Sequence, residues 1–555
     1  MRSRLFAASA RYLAVPIAQE AHVFPPDGEL QILGLYRGGQ LLEEYELKLS
    51  AQPRAWSVLF LEPYAGEELE LRLEGGDESL LDLIELSGRP KDGEELYGEP
   101  ERPLAHITPA HGFMNDPNGL FYYGGTYHYF AQLNPYGFSP GNTHWMHMVS
   151  RDLAHWRELP YALLPDETGR MYSGGGIVDE QNSSGLGKNG VPPIFLFYTA
   201  AGSKSRWSKG RPFEIAAAVS TDGGGTYEKL PENPLIPNIC FMNRDPKVVW
   251  EPEGENWVMA IFLDNDRYML LYSKDLLHWE RGETLRLHGS AECPDLFRLP
   301  LDGDPEKMKW VLWGSTDCYM VGRFEGRRFI PEAPAVEGNS HKVFSAYSDS
   351  AWSPGGYAAQ TFTGLPGGRV VQLAWIRTWR SGGPFSSCAS VPNELSLYTT
   401  PEGPRLRIWP AREVENLYQS GFSFRNRGLE EFERIPRGAL GEAMDMTIRL
   451  TVKRGCPIAF SVRGVLMVYE PELCRLLLPS GAYDVGPVGD SLELRIITDK
   501  MSVEVYVNGG QFQIALAGVL DPAQTDIKPV YLDPGVGVDF EVHRLGGIFD
   551  GQEQL

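Results

Sequence analysis

Cysteine is scarce in this chain: six residues among 555, Cys240, Cys293, Cys318, Cys388, Cys456 and Cys474, with no C-x-x-C pair. That spacing excludes a zinc ribbon and a disulfide-dense scaffold, and it predicts reduced, buried thiols. Basic charge is also in short supply, 51 Lys+Arg against 73 Asp+Glu, for a formal net charge of -22. Such a surface repels polyanions, so nucleic acid and anionic membrane are excluded as partners. No apolar run reaches the roughly 18 residues that a membrane-crossing helix needs. The start, Met1 to Arg4 followed by the apolar run Leu5 to Ala10, imitates a secretory leader only loosely, because Arg11 interrupts it. A cytoplasmic location is the expectation.

Helical periodicity is scarce too. What the chain has instead is Gly 61, Pro 42 and 11% aromatic residues, many turns and many flat rings, which favours an all-β architecture. Glu68 to Leu73 alternates apolar and polar with period two, the mark of a half-buried strand. Residues 1–102 read as a small N-terminal β-domain that closes in a polar linker, Gly88 to Arg102. Residues 409–420 read as a second linker, and residues 421–555 as an antiparallel β-sandwich. There Ser502 to Val507 alternates into Asn508-Gly509, a strong hairpin turn.

The middle, residues 103–408, repeats itself. Ser150-Arg-Asp152-Leu-Ala-His155-Trp156 recurs as Ser273-Lys-Asp275-Leu-Leu-His278-Trp279, with a looser copy from Ser220 to Tyr227. A second unit opens on a polar or acidic cluster, runs through a hydrophobic strand, turns, and returns through an aromatic strand. It begins at Asn115-Asp116-Pro117, at Arg244-Asp245-Pro246 and at Glu292-Cys293-Pro294-Asp295. Multi-strand repeats of this kind predict a five-bladed β-propeller. Innermost strands converge on a central channel, so Asp116, Asp245 and Glu292 are expected around one cavity. Paired carboxylates across a sugar pocket are the equipment of glycoside hydrolysis, one attacking or activating water and one protonating the leaving oxygen. A single Asp-Pro is more simply a turn starter. Three carboxylates at equivalent openings favour chemistry.

The stretch from His111 to Gly119, HGFMNDPNG, resembles the signature of glycoside hydrolase family 32, the invertase, levanase and inulinase group. Gln132-Leu-Asn134-Pro135, His144-Trp145, Tyr172-Ser173-Gly174, Arg244-Asp245-Pro246, Glu292-Cys293-Pro294-Asp295, Tyr357 to Phe362, Ala374-Trp375 and Ser502 to Asn508 continue the likeness in order. The resemblance covers about residues 103–555 and leaves the first hundred outside. It implies a five-bladed propeller with an appended sandwich and retention of configuration at fructofuranosides. It further implies Asp116 as nucleophile, Glu292 as general acid and base, and Asp245 as transition-state stabiliser. Asn115, Gln132, Tyr172, Ser173 and Arg244 would bind substrate, with Trp145 and Trp375 as aromatic walls; for a lone Trp, core packing is the commoner role. No metal and no organic cofactor is implied. The implied substrate is sucrose, a fructo-oligosaccharide or a fructan, and homo-oligomerisation would run through the N-terminal or sandwich domain.

Departures cluster at the pocket. Phe113 stands where the family has Trp, Tyr172 where Phe is typical, Pro140 where many relatives place Trp, Gly355-Gly356 where an Asp-Phe pair is common, and Asn393 where Arg is usual. A fructosyltransferase, a related furanosidase of altered specificity, and a non-catalytic carbohydrate-binding propeller are therefore the alternatives. Other signals read as background. Gly137 to Gly141 fits G-x-S-x-G but leads into a strand rather than a helix. His144 and His147 fall on opposite faces of that strand and make no metal pair. Cys293 is expected as a small buried neighbour that touches the acid in sequence only.

Overall fold

The computed structural model describes residues 1–18, 30–91, 96–337, 353–378, 383–533 and 536–549. The alternation at Glu68–Glu74 becomes a strand with Leu69, Leu71 and Leu73 buried and its charges turned outward. It lies between Arg2–Ala7 and Gln31–Arg37 in a four-stranded sheet whose far edge is Gln40–Leu47. A second sheet, ordered Ala55–Phe60, Tyr12–Ile17, Glu85–Ser87, covers it. The apolar run near the start is thus partly an edge strand, Arg2–Ala7, paired with Glu68–Glu74. The core of this N-terminal unit also takes in Tyr136 and Phe138 from the neighbouring propeller. Burying such a side chain is worth about 1.5–3 kcal/mol, so the unit is docked rather than tethered.

The propeller follows, with five antiparallel sheets each wound outward from a first strand. Those first strands are Gly112–Tyr123, Arg170–Val178, Arg244–Glu251, Asp295–Pro300 and Gly356–Thr361, of blades I to V. Each contacts the first strand of the next blade, and the fifth contacts the first, which makes them the lining of the channel. Phe385–Ser386, beyond the second strand of blade V, pairs parallel with Gly112 and Phe113 of blade I and closes the ring.

The repeated heptads are the turns from third to fourth strand. In blade I, Asp152 Oδ1 accepts from the N–H of Ala154 and His155, and Trp156 Nε1 donates to Leu153 O. In blade III, Asp275 does the same for Leu277 and His278, and Trp279 for Leu276 O. The Asp carboxylate satisfies the turn's orphan N–H groups while the indole pins it from below.

The stretch Gly88 to Arg102 ends anchored. Arg102 is buried, bonding Glu99, Thr108 Oγ1, Pro109 O and Ala110 O, with its guanidinium over the Phe385 ring. Residues 412–417 form a short 3-10 helix burying Val414 and Leu417, and the first sandwich strand, Tyr418–Arg427, begins inside the stretch read as a linker.

The sandwich packs a seven-stranded on a five-stranded sheet around Met446, Ile448, Phe460, Val503, Val505 and Phe540. Ser502–Val507 is buried on both faces. Its valines enter the sandwich core, while Glu504 and Tyr506 face the propeller. Glu504 Oε1 meets His106 Nε2 at 2.9 Å and accepts from Val391 N–H at 2.9 Å. Asp499 Oδ2 meets the other His106 nitrogen at 2.8 Å. The alternation seen in the sequence is real, but its polar face seals a joint between domains instead of meeting water.

Candidate active site

Four of the five channel strands break register where they reach the cavity. The shifts fall between Met114 and Pro117, Tyr172 and Gly174, Arg244 and Lys247, and Tyr357 and Gln360. A bulge bends its strand and re-aims a side chain, which delivers Asp116, Ser173, Asp245 and Tyr357 to one place. Asp245 and Glu292 both hold φ at +62° and Cys293 at +37°, left-handed conformations that non-glycine residues rarely adopt. They persist because their surroundings over-determine them. Asp245 N–H donates to Thr199 Oγ1 at 2.8 Å, and Thr199 donates onward to Ser173 O at 3.0 Å. Cys293 N–H donates to Asp245 Oδ2 at 3.0 Å, Tyr268 OH to Glu292 O at 3.1 Å, and Ser315 Oγ to Ala291 O. Below them, Lys247 Nζ pairs with Asp295 Oδ1 at 2.9 Å and donates to Thr361 O at 2.7 Å, tying blades III, IV and V across the channel.

The three carboxylates have different company. Asp116 Oδ2 accepts from Ser173 Oγ at 2.7 Å and from Gln132 Nε2 at 3.2 Å, and Asn115 adds a side-chain hydrogen bond. All these donors are neutral. Burial raises the Asp116 carboxyl, Ser173 opposes that, and the charge of Glu292 adds to it. Asp245 is pushed up to about 7 by burial, with Arg244 pulling it down and Glu292 raising it further. Glu292 is clasped from two sides: Arg244 Nη2 donates to Oε1 at 2.6 Å and Tyr357 OH to Oε2 at 2.6 Å. Its side chain is 32% exposed against 5% for Asp245, so it stands at the mouth while Asp245 lies deep.

Of the other expected ligands, Gln132, Ser173, Asn115 and Arg244 join the carboxylates. Tyr172 stands edge-on to Phe213 at 5.7 Å and lies within electrostatic reach of Arg244, Glu292 and Asp245. Trp375 meets Phe113 edge-on at 5.9 Å and Tyr357 at 6.2 Å, an aromatic cluster beside Cys293. Phe113 is itself fully buried behind it. Trp145 is not a wall. It is fully buried in the core between blades I and II, and its indole N–H donates to Met171 O and Tyr172 O. It braces the strand bearing Ser173 from behind.

Cys293 also departs from expectation: its Sγ lies 3.5 Å from Asp116 Oδ2 and 3.7 Å from Asp245 Oδ2, so it touches two carboxylates in space. Burial and those charges push its thiol well up, which keeps it protonated and able to donate. Tyr357, Thr199 and Tyr268 were missed. Tyr357 had a signal, since it opens the first strand of blade V as Asp116 and Asp245 open theirs. His144 and His147 do point apart, His144 stacking on Tyr45 and His147 bonding His128. Among the described residues no group of three or more His, Cys, Asp and Glu is arranged to hold a metal ion.

A channel mouth bearing a deep carboxylate, a second carboxylate among neutral donors and a third at the rim, with hydroxyl and amide donors between, defines a glycoside hydrolase. Residues 106–410 match the Glycosyl hydrolases family 32 N-terminal domain, and the chain belongs to that family. It is 34% identical over 500 residues to a levanase of Bacillus subtilis, covering 81% of this chain and 71% of that one. It is 35% identical over 521 residues to an extracellular exo-inulinase of Aspergillus niger, covering 81% and 95%. Among solved structures, the exo-inulinase of Aspergillus awamori superposes with a TM-score of 0.69 at 25% identity, covering 81% of this chain and 99% of that one. A β-fructofuranosidase of Schwanniomyces occidentalis, complexed with fructosyl-erythritol, shares the fold at a TM-score of 0.67 and 22% identity, covering 80% and 98%.

Proposed function

We propose that this enzyme releases fructose from β-fructofuranosides by double displacement, with Asp116 as nucleophile and Glu292 as acid and base. The observation that carries this reading is the contrast between the two carboxylates. Asp116 sits low among neutral donors, where an anomeric carbon would lie; Glu292 sits at the exposed mouth, where a leaving group would depart. Asp116 attacks the anomeric carbon as Glu292 protonates the departing oxygen, leaving a fructosyl ester on Asp116. Glu292, now ionised, takes a proton from water, which attacks the same carbon and frees Asp116. Arg244 neutralises the charge that Glu292 acquires, and the hydroxyl of Tyr357 holds its second oxygen in place. Asp245, Gln132 and Ser173 are positioned to hold sugar hydroxyls, and hydrogen bonds that tighten as the ring flattens stabilise the oxocarbenium-like transition state.

Levanase and exo-inulinase are names of relatives, and both describe fructan-cleaving enzymes. The direct test is product release from sucrose, inulin and levan side by side. Fructose as the product from at least one of them is expected; sugar binding with no turnover of any would overturn the assignment.

A further inference from the structure

The match to the family begins at residue 106, which leaves the N-terminal β-unit without a role. Its edge strand, Gln40–Leu47, meets the propeller at Asn142 and Arg170. An edge strand carries unpaired backbone N–H and C=O groups, and Glu46 presents both. They are met by one side chain of the propeller. Glu46 N–H donates to Asn142 Oδ1 at 2.9 Å, and Asn142 Nδ2 donates to Glu46 O at 2.7 Å. The carboxamide of Asn142 thus stands in for the missing strand. Its remaining N–H donates to Asn134 Oδ1 at 3.1 Å, so every donor and the acceptor are engaged. Asn134 ends the strand Thr126–Asn134, on the same face as Gln132 two residues earlier.

The side chain of Glu46 reaches the other way. Its Oε2 pairs with Arg170 Nη2 at 2.8 Å, with the carboxylate 27% and the guanidinium 14% exposed. Arg170 opens the strand Arg170–Val178, three residues before Ser173 and just ahead of the bulge that aims it. One residue of the N-terminal unit therefore holds the two strands that carry Gln132 and Ser173, the pair bonded to Asp116 and to each other. Beside these bonds the docking face is partly aromatic, since Tyr45 stacks on His144 at 5.5 Å and leans on Tyr136 at 4.5 Å, and partly charged, since Arg206 pairs with Glu44 and Glu74. Pro140, where the family resemblance called for a Trp, is exposed on that connection and bonds nothing across the joint.

We propose that Glu46 is a positioning residue for the fructose subsite, so that the N-terminal unit supports the pocket from behind. This rests on the reading of Gln132 and Ser173 as ligands of fructose. Glu46 touches neither substrate nor reacting atoms; it fixes the spacing between two strands whose side chains do.

The test is calorimetric titration of fructose into the full-length protein and three variants. Glu46→Gln removes the ion pair to Arg170 and keeps the side-chain volume. Asn142→Gly removes both bonds to Glu46 at a position with φ of +39°, which glycine adopts without strain. Arg206→Gln cuts the ion pairs of Arg206 with Glu44 and Glu74 on the same docking face and leaves Asn142 and Arg170 alone. Fructose affinity is expected to fall about three- to tenfold in the first two variants, as for a lost or misplaced hydrogen bond. Their KM for the substrate rises in step while kcat changes less, and Arg206→Gln binds fructose as the wild type does. Equal loss in all three variants would make the joint merely structural and overturn the proposal, as would unchanged affinity in Glu46→Gln and Asn142→Gly. A wild-type protein that neither binds fructose nor cleaves fructosides would remove the reading on which it rests.

Discussion

Tyr357 donates its phenolic hydrogen to Glu292 Oε2 at 2.6 Å, and the two residues come from different blades. The bond fixes the carboxyl plane of Glu292 while Arg244 holds its other oxygen. Hydrogen bonds to charged groups are worth about 1.5–3 kcal/mol, so Tyr357→Phe is expected to lower kcat/KM by roughly ten- to a hundredfold. Steady-state kinetics with an unchanged melting temperature would separate this from damage to the fold; wild-type kcat/KM would remove Tyr357 from the mechanism.

Asp116 and Glu292 should fail differently when changed. Asp116→Asn keeps the shape and the bonds to neighbours but cannot attack, so turnover is lost for every leaving group. Glu292→Gln loses the acid and is expected to cost roughly 10²–10⁴ in kcat on whichever of sucrose, inulin and levan the wild type cleaves. On fructosides whose leaving group departs without a proton, the first step should recover and the ester on Asp116 accumulate, visible as an added fructosyl mass on the intact protein. Equal loss on both substrate types would reverse the roles given to these residues.

Asp245, held up to about 7 by burial, is protonated below that pH and ionised above it. An ionised carboxylate accepts hydrogen bonds from two sugar hydroxyls, whereas the acid form gives up one acceptor site. Fructose affinity should therefore strengthen as pH rises through about 7. In Asp245→Asn the curve should be flat and weak over the same range, and a curve of wild-type shape would place the titration elsewhere.

His106 sets a stability prediction. Burial pulls its pKa down, but hydrogen bonds with Asp499 and Glu504 outweigh that and raise it to about 9. A folded-state value above the unfolded one of about 6.5 gives stability that is complete below pH 6.5 and fades as pH rises through 9. Wild-type melting temperature should fall across that window. His106→Gln should melt lower at pH 6 and show a shallower fall, as read by calorimetry.

The reach of the sequence had physical limits that particular residues make plain. Asp116, Asp245 and Glu292 were legible because each opens a repeat with its own local signature, and a propeller turns equal positions into shared space. Tyr357 occupied the same kind of position, but nothing local announces that a phenol will meet a carboxylate from another blade. Trp145 is a wall only by family resemblance; the commoner role of a lone Trp, core packing, is the one it takes, with its indole held by the carbonyls of Met171 and Tyr172. Cys293 reads as an inert neighbour because nothing local announces its left-handed backbone, which turns the sulfur between Asp116 and Asp245 and is braced by Ser315 from a turn and Tyr268 from a strand of another blade. Glu504 belongs to a clear alternation that does not say what its polar face meets, and only the packing of two domains reveals its partner, His106. Tyr136 and Phe138 are covered by a unit that shares no repeat with the propeller.

The parallel pairing of Phe385–Ser386 with Gly112 and Phe113 has a temporal side. During synthesis the strand holding Asp116 emerges early, whereas its last neighbour leaves the ribosome only after all five first strands have been made. Contacts between such distant segments form slowly, because the intervening chain must first be ordered. The N-terminal unit is made before the first blade and is there to cover Tyr136 and Phe138 when that blade emerges. It can therefore act as a placeholder for order on the nascent chain, before the ring that contains the nucleophile is complete.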